Sequence, residues 1–78
     1  MGHDIEVARR SRDALAELTE QLINDYDGLL PPGAVIRCVA RTVQEFRLAG
    51  LSTELLPYAV EPIVREGLAE RALNQARR

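Results

Sequence analysis

Pro31-Pro32-Gly33 is the point around which the rest of the chain must fold: two adjacent prolines lack backbone donors and hold φ at about −65°, so no helix runs through them. A helix can begin there, because a first turn leaves its N–H groups unbonded anyway. A second break follows at Ala49-Gly50-Leu51-Ser52, and between the breaks the residues are helix formers with no alternating β-branched run. The pattern predicts three helices, over about 4–27, 32–49 and 55–75, in one domain. Short connections place neighbouring helices antiparallel, so the expected fold is an all-α, antiparallel three-helix bundle.

Each helix has its own apolar face. In the first, Ile5, Ala8, Leu15, Leu18, Leu22 and Tyr26 recur at spacings of three, four and seven, and Gly28 suits the residue after the helix end. In the second, Val35, Ile36, Val39, Val43 and Phe46 form an arc across from Arg37, Arg41, Gln44 and Glu45, while Leu48 projects among the polar residues. The third holds Pro57 and Pro62, which cannot both occupy one unbonded first turn. A turn capped by Ser52, a start at Leu55 to Pro57 and a kink or restart near Pro62 are therefore expected. Val60, Ile63, Val64, Gly67, Leu68 and Ala72 cover nearly half of this helix, which suits an element touched from two sides.

With 78 residues, 46% hydrophobic and 28% charged, the chain has the balance of a folded protein but a small core. Such domains often need reinforcement. A lone Cys38 forms no internal disulfide, and one Cys with one His falls short of the four ligands of a closed zinc site. A second polypeptide is the remaining means. Acidic Asp4 and Glu6 stand where a secretory signal would be basic and then apolar, and no apolar run would span a bilayer, so a cytoplasmic location is expected. The first helix is too acidic for an anionic lipid surface. All ten basic residues are Arg, a codon signature of a GC-rich genome with no mechanistic content.

No arrangement of residues announces a reaction, and neither enzyme activity nor a cofactor is expected. Cys38 sits inside the second helix, where burial disfavours a thiolate, and the sixth residue after it is Gln44, not the Arg of a phosphatase loop. It reads as a small hydrophobe at the edge of the core. His3 with Asp4 gives two terminal ligands, too few to hold a metal. Asp25 with Asp27, and Glu66 with Glu70, read as solvated surface pairs. Leu48-Ala49-Gly50-Leu51-Ser52-Thr53-Glu54 has the look of the turn in a helix-turn-helix reader. Across Thr53 to Val64, however, the ionisable residues are Glu54 and Glu61, the wrong sign for phosphate contacts, and the net charge is −2.

The apolar positions Leu18, Leu22 and Tyr26, then Val35 and Val39, and the Leu56-Pro57 step resemble a small actinobacterial three-helix-bundle module. That module occurs alone or ahead of low-molecular-weight phosphatase-like arsenate reductases as a dimerisation domain. The similarity covers about Leu18 to Arg71, with the helix-initiating proline at Pro57. Pro62 departs from the pattern. The resemblance implies self-association without catalytic residues. The leading expectation is a non-catalytic module that homodimerises or docks a protein partner through Leu48, Leu51, Leu55 and Tyr58 around the second break. The alternatives are a regulatory adaptor or antitoxin-like inhibitor whose acidic first helix meets a basic surface, and, behind it, a helix-turn-helix DNA binder.

Overall fold

A computed structural model describes the backbone of residues 2–77 and the side chains of residues 4–77. Its elements are α1 (Gly2–Asp25), α2 (Pro32–Leu48), a 3-10 turn (Thr53–Leu55) and α3 (Leu56–Ala76), with no strand among the described residues. The all-α three-helix bundle is the fold. Ser11 Oγ donates to the Thr53 carbonyl at 2.9 Å near one end, and Tyr26 and Asp25 meet Arg65 towards the other. These ties set α1 and α3 parallel, with α2 returning antiparallel to both.

The breaks work through specific residues. Leu29 and Leu30 both donate their N–H to the Tyr26 carbonyl at 2.9 Å, and Gly28 takes φ 82°. That turn leaves Leu29 in water and tucks Leu30 into the core. Leu30 precedes the N-cap Pro31 and shares the core cluster with Val35 in the next turn, the two positions of a hydrophobic staple. At the far end of α2 the Leu51 N–H bonds the Phe46 carbonyl and the Gly50 N–H bonds the Arg47 carbonyl, both at 3.0 Å, with Gly50 at φ 87°. This is a Schellman stop, and the Leu51 and Phe46 side chains both pack against the core.

Leu18, Leu22, Val35, Val39, Leu56, Val60, Val64 and Leu68 form the middle of the core. Three expected core positions are not covered. Ile5 is 64% exposed, because Ser11 already lies level with the turn before α3 and Ile5, nearly two turns earlier, projects past the end of the bundle. Ile36 stands about 100° round the helix from Val35 and stays half exposed, while Ala34 and Thr42 are buried in its stead. Ile63 is half exposed too, so the outer part of the broad α3 arc has no partner within the chain.

Two further details correct the sequence reading. Ser52 occupies the N-cap position, but its hydroxyl makes no cap; its carbonyl accepts from Leu55 N–H at 3.1 Å. Helix α3 begins at Leu56 as expected and runs through Pro62 without a restart. Pro62 leaves the Tyr58 carbonyl without its helical donor, and both residues lie on the exposed side, where water can serve it.

Candidate functional site

A groove of about 580 Å³ runs between α1 and α3, open to solvent. Its α1 side is built from Val7, Ser11, Ala14, Leu18 and Gln21, which recur at helical spacing on a stripe beside the core face. The depth comes from size: Ser11 and Ala14 are too small to fill the space between the helices. Leu55, Pro57 and Tyr58 form the opposite wall. Leu55 is 52% exposed and Tyr58 77%, so two large side chains stand beside a cleft without closing it.

Charge is distributed unevenly around this cleft. Glu17, Glu54 and Glu61 line it against a single Arg10. Arg10 makes a weak 3.5 Å contact with Glu6 one turn earlier on α1, and Glu61 accepts from Arg65 Nε at 2.9 Å. Arg65 also reaches Asp25 at 3.1 Å and so ties α3 to α1. Donating to Glu61, and then to Asp25, raises the Arg65 pKa above its ordinary value. A raised cation adds stability that is lost only as pH climbs through the folded value, so this tie holds its charge at every physiological pH. Glu17 and Glu54 take part in no salt bridge among the described residues.

The four residues expected to form one contact fall into three places. Leu55 and Tyr58 line the groove. Leu48 is 82% exposed at the end of α2, as its position among polar residues predicts, but it does not line the groove. Leu51 is half-buried against the core, where it completes the α2 stop. Sequence reasoning missed Val7, Ser11 and Ala14; the signal was a second stripe at 7, 11, 14, 18 and 21, masked by its small and polar members.

The remaining candidates lie elsewhere. Cys38 is half-buried and packs on the core beside α3, with its sulfur 3.8 Å from where a Cβ on Gly67 would stand. Asp25 is engaged by Arg65, whereas Asp27, Glu66 and Glu70 are exposed. The side chain of His3 lies outside the described residues, among which no group of three or more His, Cys, Asp or Glu could hold a metal ion. No helix among those residues is long and apolar enough to cross a membrane.

Fold and groove together define a small helical bundle with one face left open between parallel helices. Comparison with known protein families, curated proteins and solved structures gives no match.

Proposed function

We propose that this chain is a non-catalytic, cytoplasmic interaction module that uses the α1/α3 groove to dock another polypeptide. The observation that carries the reading is Tyr58 with Leu55, large and exposed on the wall of a cleft floored by Val7, Ala14 and Leu18. Aromatic and leucine side chains beside a partly apolar depression are what an interface core requires. The groove's polar groups are three carboxylates, one guanidinium, the Gln21 amide and the hydroxyls of Ser11 and Tyr58; Ser11, its one aliphatic hydroxyl, already donates to the Thr53 carbonyl, which favours binding over nucleophilic chemistry.

Homodimerisation and docking to a different protein remain the two forms of the reading, and resemblance to the actinobacterial modules favours the first. The acidic rim favours the second, since two identical grooves meeting face to face would set Glu17, Glu54 and Glu61 against their own copies. Sedimentation across a tenfold dilution, alone and with a partner purified from the native cell, tests the module reading. A concentration-dependent dimer or a stoichiometric complex that Tyr58→Glu abolishes and Leu48→Glu spares is the expected outcome. A monomer with no partner, indifferent to Tyr58→Glu, contradicts it.

A further inference from the structure

Resting on that reading, we propose that the α1/α3 groove receives a basic amphipathic helix from a partner protein. The apolar stripe of that helix would lie on Val7, Ala14 and Leu18, and its cations would face Glu17 and Glu54. Length, shape and charge each bear on the choice of occupant.

From Val7 to Gln21 the groove follows α1 for about 21 Å, the length of about 14 residues of helix. An extended peptide would find no sheet edge to pair with, because α1 and α3 satisfy their own backbones. The hollows over Ser11 and Ala14 lie one helical turn apart on α1, so they suit side chains projecting from a second helix at similar spacing. Tyr58 and Leu55 would close over one flank of such a helix.

Charge separates a different protein from a second copy. Glu17 and Glu54 are exposed and take part in no salt bridge among the described residues, so an incoming Lys or Arg would meet open carboxylates at little desolvation cost. A second copy presenting the same groove brings the same acids. Its basic helix, α2 with Arg37, Arg41 and Arg47, lies on the opposite side of the bundle, so it could enter the groove only head to tail. That contact propagates into chains or rings instead of closing as a dimer.

The probe is a fluorescein-labelled peptide of about 15 residues with leucines at i, i+4, i+7 and i+11 and lysines on the other face; its counterpart replaces every lysine by glutamate. Anisotropy titrations use the full chain and the Glu17→Arg/Glu54→Arg double variant, whose fold is checked by circular dichroism. The lysine peptide should bind at least about tenfold more tightly than its counterpart and weaken as NaCl rises. The double variant should lose about tenfold for the lysine peptide and gain for the glutamate peptide, a reversal that unfolding would not produce. Equal binding of the two peptides, or an unchanged double variant, overturns the proposal. If neither peptide binds while the chain forms a dimer sensitive to Tyr58→Glu, the groove belongs to a second copy; the proposal fails and the module reading stands. If neither peptide binds and the chain stays monomeric without a partner, both fall.

Discussion

Ser11 is the polar residue on which most depends. It is buried, and its hydroxyl ties α1 to the turn that launches α3 while its small size leaves the groove open. Ser11→Ala removes the donor and leaves the Thr53 carbonyl short of a partner, a loss expected to cost about 1 to 2 kcal/mol in urea unfolding. A change within about 0.3 kcal/mol would show that water replaces the hydroxyl fully. Nothing in the sequence marks Ser11, since a serine on a helix surface is ordinary and its partner is a backbone carbonyl far along the chain. Leu51 illustrates the converse error: its place in a glycine-containing break suggested an exposed contact. The Schellman geometry at Gly50 turns it inward, a consequence of one backbone conformation that residue type alone does not specify.

Among the helices, α2 was the most legible, because Pro32 and Gly50 mark its ends and Val35 and Val39 its buried face. The α3 start was legible from Pro57, and its continuity was not. A proline in an interior position ordinarily interrupts a helix, but here its unbonded carbonyl partner faces water and Val60, Val64 and Leu68 on the other side hold the axis in the core. Pro62→Ala restores the donor to an unbroken helix and should raise stability by about 1 to 3 kcal/mol, read as an upward shift of the urea midpoint. If Pro62 instead began a second helix, the substitution would be neutral or destabilising. The N-terminal part of α1 was misread for a different reason: periodicity shows which way Ile5 points, but not that the neighbouring helices begin too late to cover it.

The chain as a whole extends 51 Å in its longest direction and only 16 Å in its shortest, so a single layer of core residues serves three helices. That thin core explains why so many large apolar residues remain outside it, Leu48, Tyr58, Leu73 and Ile63 among them. The small size and the lack of a disulfide or zinc ligand set are what make a second polypeptide the expectation. The groove itself was only half legible: Leu55 and Tyr58 were singled out by their position near a break, whereas its α1 side depends on how deeply two helices approach. Backbone amide shifts during titration with the lysine peptide test the docking surface most directly. They should concentrate on Val7, Ala14, Leu18 and Tyr58 and leave the outward face of α2 still; the largest shifts around Arg41 and Leu48, with the groove silent, would contradict it.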